Sequence, residues 1–326
     1  MTRTLILGGT VFLGRHVAAE ALARGHEVTL FTRGIHGAGL FPEAERLVGD
    51  RSRDVSALRG RAWDAVIDTS GYKPADVAAS CRAVSGAHYV FVSSCNAYPG
   101  WPEHVVDEDS PVWESEDDDY GPNKAAAERE GFAALGEAFA TVRAGLIVGP
   151  HDAVFRLPWW VRRIARGGDV PAPGDPSREL QIIDARDLAA WMLDLAERRV
   201  GGAFNGTGPI GMTTMGELLG AAVEATGSGA RLRWIPDDAL LGAGAEPWNE
   251  LPLWAHPEWP GTWRIGTDRA RAAGLRVRPA ADTVADVAAW LRDGGEAELS
   301  DWGSHARPAP MSAEREAELL ALSARA

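Results

Sequence analysis

The opening stretch, residues 4–34, TLILGGTVFLGRHVAAEALARGHEVTLFTRG, constrains the fold more than any other part of the chain. A short apolar run, Leu5 to Leu7, meets Gly8 and Gly9, and a third glycine follows at Gly14. Val17, Ala18, Ala21 and Leu22 then recur at helical spacing, so the stretch reads as strand, tight turn and helix. Gly25 closes the helix and Val28 to Phe31 form a second β-rich run, which completes a βαβ unit. A helix N-terminus preceded by glycines presents backbone N–H groups, the positive end of a dipole and no side chain to block a pyrophosphate. The unit therefore predicts a dinucleotide site, with Gly8, Thr10, Phe12, Leu13 and Gly14 as its contacts. The plainer reading, glycines serving a tight turn alone, is disfavoured by their place between a strand and a helix.

An acidic residue at the end of the second strand would hold an adenosine ribose. This chain has Phe31, Thr32 and Arg33 there and no carboxylate. A carboxylate repels a 2′-phosphate, whereas a guanidinium pairs with it through two charge-assisted hydrogen bonds. Thr32 and Arg33 thus point to NADP(H), with NAD(H) as the alternative; the bland reading of Arg33 is one solvated arginine among many.

The alternation continues. Arg46 to Asp50 reads as a third strand, with Asp50 and then Arg51 as candidate contacts beside the adenine. Trp63 to Gly71 gives a buried fourth strand carrying Thr69, a further candidate cofactor contact, Ala75 to Val84 a crossover helix, and His88 to Ser94 a fifth strand. A helix over Asn123 to Ala138, with Pro122 in its first turn, leads to a buried strand from Thr141 to Val148, where Val148 is the last candidate cofactor contact. Strands and helices alternating in this way give an α/β fold, a Rossmann-type doubly wound parallel sheet, with ligands at the carboxyl ends of the strands.

Beyond Gly149 and Pro150 the alternation breaks down. Helices are expected at Leu157 to Arg166, Asp187 to Arg198 and Asp282 to Arg292, short strands at Gln181 to Ile183 and Ala203 to Asn205, and a last helix capped by Ser312. The expected division is a Rossmann domain over residues 1–150, joined by segments near 181–205, and a smaller substrate-binding domain over 151–326. Trp159, Trp160 and the Trp- and Pro-rich segment 237–264 belong to that second domain. Aromatics so dense usually serve packing; the sharper expectation is that they shape a substrate pocket.

At 326 residues and 45% hydrophobic, the chain can bury a large core. Its N-terminal apolar run is too short for a signal peptide and no stretch reaches the roughly 20 apolar residues of a membrane span, so the expected compartment is the cytoplasm. Cys81 and Cys95 make no disulfide framework, and the eight histidines lack ligand spacing, so no metal is expected. A net charge of −13 argues against a nucleic-acid partner and for a small-molecule substrate. The acidic stretch 106–120 reads as a solvated loop, or more sharply as a flap favouring a cationic substrate. Basic residues are arginines except at Lys73 and Lys124.

Ser94, Tyr120 and Lys124 form the second constellation, with Lys124 also a candidate cofactor contact. Tyr120 and Lys124 stand four apart at a helix start, so both lie on one face. A free phenol titrates near pH 10; an ammonium within a few ångströms stabilises the phenolate. Drawing the phenol down to roughly pH 7–8 corresponds to about 3–4 kcal/mol. Ser94, at the end of the fifth strand, can donate to the substrate oxygen that Tyr120 protonates. An arginine would replace Lys124 poorly, since its planar fork is not a compact point charge.

GGTVFLG at the start, SS after the fifth strand, YGPNK and GLIVGP together resemble the extended short-chain dehydrogenase/reductase superfamily, which includes NAD-dependent epimerases and dehydratases. The resemblance implies a hydride-transfer cofactor, the triad Ser94, Tyr120 and Lys124, and a homodimer built through the helix that carries Lys124. Val11 stands where that family's fingerprint usually has glycine, and the GGT-x-F-x-G form is similar to an atypical branch that includes chloroplast stem-loop RNA-binding proteins. Cys95 and Asn96 follow Ser94 where hexose dehydratases carry Asp and Glu, which argues against a dehydratase; both are candidate substrate contacts, although Cys95 reads more simply as a packing residue. Leu180 falls where nucleotide-sugar epimerases commonly carry an arginine, with Arg178 nearby. The expected activity is reduction of a small-molecule carbonyl or imine, or the reverse oxidation, with a cofactor-retaining epimerase and a non-catalytic RNA-binding protein as alternatives.

Overall fold

β1 (Arg3–Leu7), β2 (Glu27–Thr32), β3 (Glu45–Val48), β4 (Ala65–Asp68), β5 (His88–Ser94), β6 (Phe139–Ala144) and a returning strand, Gly202–Gly206, form one parallel sheet. In this computed structural model the spatial order is Gly202–Gly206, β6, β5, β4, β1, β2, β3, so the direction of winding reverses between β1 and β4. Successive side chains of a strand point to opposite faces, and β1 shows the consequence. Leu5 and Leu7 enter one core with Phe31, Val66, Tyr89, Phe91 and Phe139, while Ile6 enters the other with Val17, Leu30, Ile67 and Trp191. Each such side chain, fully buried, contributes roughly 1.5–3 kcal/mol relative to exposure.

α1 (Phe12–Ala23) packs beside the helix Ala185–Glu197, and α2 (Pro74–Ala83) beside α3 (Tyr120–Leu135). α1 ends where the sequence places its stop: Gly25, at φ +76°, donates its N–H to Leu22 O at 2.9 Å. α3 begins at Tyr120, three residues before the expected start, because Asp119 caps it by accepting from Tyr120 N at 2.7 Å. Within α3, Gly131 is required by packing, since a Cβ there would stand 2.1 Å from Phe139 Cζ.

The structure describes residues 1–84, 86–115, 117–295 and 311–323; Glu116 of the acidic stretch and residues 296–310 and 324–326 of the expected second domain lie outside these. The chain divides into two units. The first comprises Met1–Ile147, Ile183–Gly208 and Ile265–Val277. Its third segment goes beyond the expected return near 181–205. Backbone polar groups hold it there: Gly266 N donates to Val106 O at 2.7 Å and Asn205 Nδ2 to Gly266 O at 2.9 Å.

The second unit comprises Val148–Ile182, Pro209–Arg264 and Arg278–Ala326. It pairs Asp169–Pro173 in parallel with Arg231–Ile235, and Glu179–Leu180 antiparallel with Thr213–Thr214. A capping box, Thr214 with Glu217, starts the helix Met215–Thr226, and Ser312 accepts from Arg315 N at 3.1 Å at the start of Ala313–Ser323. Several of its tryptophans serve packing: Trp160 and Trp254 are fully buried, their indole N–H groups donating to Pro252 O at 2.6 Å and Asp237 Oδ1 at 2.8 Å, whereas Trp259 is exposed. No helix among the described residues is long and apolar enough to cross a membrane.

Candidate active site

The glycine turn after β1 adopts a backbone that side chains disfavour. Gly8 and Gly9 have φ of +111° and +71°, and a Cβ on Gly8 would lie 2.5 Å from Thr69 Oγ1. Gly14 is held against backbone as well, since its Cβ would stand 2.7 Å from Gly9 N. The turn is thus drawn against the end of β4, where Thr69 Oγ1 donates to Leu7 O at 3.2 Å. Val11, extended at φ −131°, caps α1 with no side-chain hydrogen bond, so valine at this departure from the fingerprint is unstrained. Phe12 is not: its φ of 40° is uncommon for a bulky residue. Leu13 is buried in the core, which leaves only its backbone to face a ligand. The first-turn N–H groups of a helix have no partner within it, and this cradle fits a pyrophosphate.

At the end of β2, Thr32 is half-buried and Arg33 exposed. Asp50 accepts from Ser52 N at 3.0 Å and Ser52 Oγ at 2.7 Å; these bonds, and more weakly the charges of Arg53 and Arg33, lower its pKa. Arg51, expected beside the adenine, is turned inward. Its Nη1 donates to Asp68 Oδ1 at 2.6 Å and its Nη2 to Ser80 Oγ at 2.9 Å. The reason is Asp68, which ends β4 with no exposure and demands a countercharge. Burial pushes that carboxyl up, but Arg51's charge, with hydrogen bonds from Arg51, Tyr89 and Ser70, holds it below the usual carboxylate range.

Ser94, Tyr120 and Lys124 are presented by β5 and α3 at the carboxyl end of the sheet. Ser94 Oγ accepts from Asn96 N at 3.1 Å, which leaves the hydroxyl hydrogen for another acceptor. Tyr120 is 43% exposed, whereas Lys124 is buried. Lys124 Nζ donates to Gly71 O at 2.7 Å and Val92 O at 2.9 Å, and lies 5.8 Å from the centre of the Tyr120 ring. Among the described residues no carboxylate is within ion-pair reach of it. Burial lowers its pKa from 10.5 to about 8; Asp68 and Glu128 oppose that shift and Arg51 adds to it.

Below this group lies a buried network that sequence reasoning missed. Arg143 of β6 pairs with Glu128 of α3 at 2.8 Å and donates to Tyr98 Oη at 2.8 Å; Tyr98 in turn donates to Asn205 Oδ1 at 2.7 Å. The only sequence signal was a charged residue within an otherwise apolar strand. The acidic stretch is stitched down as well as solvated. Glu108 accepts from Asn205 N at 2.9 Å, Asp109 pairs with Arg269 at 2.8 Å, and Asp118 pairs with Lys73.

Other candidates are placed elsewhere. Cys95 is buried, its thiol pushed up to about 12 by burial and donating to Arg143 O at 3.4 Å, so it packs rather than meeting substrate. Asn96 is exposed, and its carbonyl accepts from Trp113 Nε1 at 3.1 Å. Val148, Trp159 and Trp160 are buried in the second unit, 0%, 3% and 0% exposed, which removes the two tryptophans as surfaces that shape a pocket. Arg178 is spent on Asp237 and does not stand in for the arginine absent at Leu180.

The model of the NAD dependent epimerase/dehydratase family matches residues 4–206, more than half of the chain. The chloroplast stem-loop binding protein of 41 kDa b from Arabidopsis thaliana is 26% identical over 222 residues, 59% of this chain and 54% of that protein. The chain thus spans about half the length of that relative. The structure of WbmH from Bordetella bronchiseptica in complex with NAD+ matches with a TM-score of 0.68 and 20% identity, over 90% of this chain and 100% of that one. Human epimerase family protein SDR39U1 with NADPH matches at a TM-score of 0.62 and 21% identity, over 88% and 99%. The fold is shared with both. By the match of its first two hundred residues and by the sheet and turn described above, the chain belongs to the NAD dependent epimerase/dehydratase family.

Proposed function

We propose that this chain is an NADP(H)-dependent oxidoreductase of the short-chain type, reducing a carbonyl or imine of a small molecule or oxidising the corresponding alcohol. The observation that carries the reading is Lys124: a buried ammonium held by two backbone carbonyls, without a carboxylate of its own, beside the ring of Tyr120. An unneutralised positive charge there stabilises the Tyr120 phenolate and tunes the phenol toward acid–base work near neutral pH.

A nicotinamide dinucleotide, when bound, supplies the hydride. Gly8, Thr10 and the first turn of α1 fit its pyrophosphate, and Arg33 its 2′-phosphate. Tyr120 delivers a proton to the substrate oxygen during reduction, or takes it during oxidation. Ser94 donates its remaining hydrogen to the same oxygen and polarises the bond to carbon. Lys124 holds Tyr120's charge in balance.

The test is a fluorescence titration with NADPH and, separately, NADH, on the wild type and Arg33→Ala, followed by NADPH oxidation with a panel of carbonyl and imine compounds. Tight NADPH binding that weakens at least tenfold in Arg33→Ala, and turnover lost in Tyr120→Phe with NADPH binding kept, are the expected results. A fully active Tyr120→Phe refutes the assignment. The family match favours a second reading, an epimerase that oxidises and re-reduces one carbon; its mark is NAD(P)+ surviving purification. The stem-loop binding relative favours a third, RNA binding, which the net charge of −13 opposes and a gel shift at moderate salt decides.

A further inference from the structure

Tyr72 lies outside the three residues assigned above, yet it meets their charge more closely than Tyr120 does. Lys124 Nζ is 5.0 Å from the centre of the Tyr72 ring and 5.8 Å from that of Tyr120. The two rings are 6.4 Å apart and inclined at 46°, so one ammonium serves both. Tyr72 is 58% exposed, and its phenol bonds to no group among the described residues. A large aromatic left open to solvent at the carboxyl end of a parallel sheet is informative, because that is where ligands bind.

The position of Tyr72 is fixed from both sides. Gly71, before it, gives its carbonyl to Lys124, and a Cβ on Gly71 would stand 2.7 Å from both Phe91 Cε2 and Val77 Cγ2, so this backbone has no room to retreat. Lys73, after it, caps α2 and pairs with Asp118, two residues before Tyr120. The ring is therefore anchored next to Tyr120 without being covered. Such a ring offers a rigid apolar face and a hydroxyl that stays protonated at neutral pH.

We propose that Tyr72 is the substrate-recognition residue of this site and selects ring-bearing carbonyl compounds by stacking on the ring whose oxygen Tyr120 serves. The proposal rests on the oxidoreductase reading for the reaction but not for the binding. Tyr72→Ala and Tyr72→Phe are compared with the wild type in two measurements. In the first, protein saturated with NADPH is titrated with 2-naphthol, a fused-ring probe that does not react. In the second, NADPH oxidation is followed with 2-tetralone, which carries a ring, and with ethyl acetoacetate, which does not.

The expected result is 2-naphthol binding weakened five- to tenfold in Tyr72→Ala and restored in Tyr72→Phe. The KM for 2-tetralone should rise at least fivefold more than that for ethyl acetoacetate, with kcat much less affected. Equal changes for both ketones, unchanged 2-naphthol binding in Tyr72→Ala, or no 2-naphthol binding by the wild type overturns the proposal. If the wild type oxidises NADPH with neither ketone, the oxidoreductase reading fails, and the 2-naphthol titration still decides the role of Tyr72.

Discussion

Removing the Glu128 carboxylate should be among the most damaging single changes in the first unit. Glu128 and Arg143 are 3% and 6% exposed, and Arg143 reaches the carboxylate through Nε at 3.1 Å and Nη2 at 2.8 Å. Glu128→Ala leaves a buried guanidinium with Tyr98 as its main remaining side-chain partner. Breaking one side of such a pair costs roughly 3–5 kcal/mol, whereas replacing both charges by apolar groups is often neutral. At about 2–4 °C per kcal/mol for a unit of this size, Tm should fall by roughly 6–20 °C. Glu128→Leu combined with Arg143→Met should recover most of that loss, giving a coupling energy of at least about 2 kcal/mol in the double-mutant cycle of wild type, Glu128→Leu, Arg143→Met and the double variant. Calorimetry and urea unfolding of the four proteins measure it. Additive effects, or a Glu128→Ala protein as stable as the wild type, would show that the pair is not buried as described. Arg143 stands opposite Ser93 in the β5–β6 register, and Glu128 follows Lys124 by one turn, so the same pair fixes α3 against the strand that carries Ser94.

Further expectations concern titration and close packing. Lys124 holds its proton only up to about pH 8, against 10.5 when unfolded. Activity that depends on its charge should therefore decline above pH 8, while its contribution to stability rises between about 8 and 10.5, where the unfolded chain binds the extra proton; Lys124→Met should lose both trends. Asp152 is fully buried, and burial raises its carboxyl from 3.8 to about 6, with Oδ2 lacking a partner. The native state then holds a proton that the unfolded chain has lost between about pH 4 and 6, so stability falls as pH rises through that window. Above pH 6 the cost is up to about 3 kcal/mol. Asp152→Asn should be the more stable protein at pH 7.5 and lose that advantage near pH 4, as read by urea unfolding. Gly14→Ala, whose methyl group would meet Gly9 N at 2.7 Å, should lose about 1–3 kcal/mol and bind NADPH at least tenfold more weakly, measured by unfolding and by titration.

The strands and the turn were legible because they rest on local rules. Leu5, Ile6 and Leu7 read as a strand buried on both faces and feed two cores, and the fifth strand was read with its observed limits, His88–Ser94. What escaped depends on partners distant in sequence. Arg51 looked like a residue free to meet a ligand, because nothing in AVID shows that Asp68 will be sealed off and need a cation. Trp159 and Trp160 carry the side chains of a pocket wall or of a core, and Trp160 is made core by a segment distant in sequence that returns at Pro252. The segment 265–277 rejoins the first unit mainly through backbone groups, which have no sequence code. Tyr72 went unremarked because exposure, not residue type, separates it from the buried Tyr89 and Tyr98.

On the proposed reading, it is the arrangement of the buried charges that lets Lys124 serve Tyr120. Two carboxylates, Asp68 and Glu128, act electrostatically on Lys124, and either one left without its arginine would offset more of the ammonium's field. Each is instead committed to an arginine, Asp68 to Arg51 at 2.6 Å and Glu128 to Arg143 at 2.8 Å. A buried tyrosine completes each pair: Tyr89 donates to Asp68 at 2.7 Å, and Tyr98 accepts from Arg143. Two near-neutral clusters therefore flank a cation whose own ligands are carbonyls and aromatic rings. The uncompensated charge that remains lies beside the two exposed phenols, Tyr72 and Tyr120, where the proposed reaction would use it.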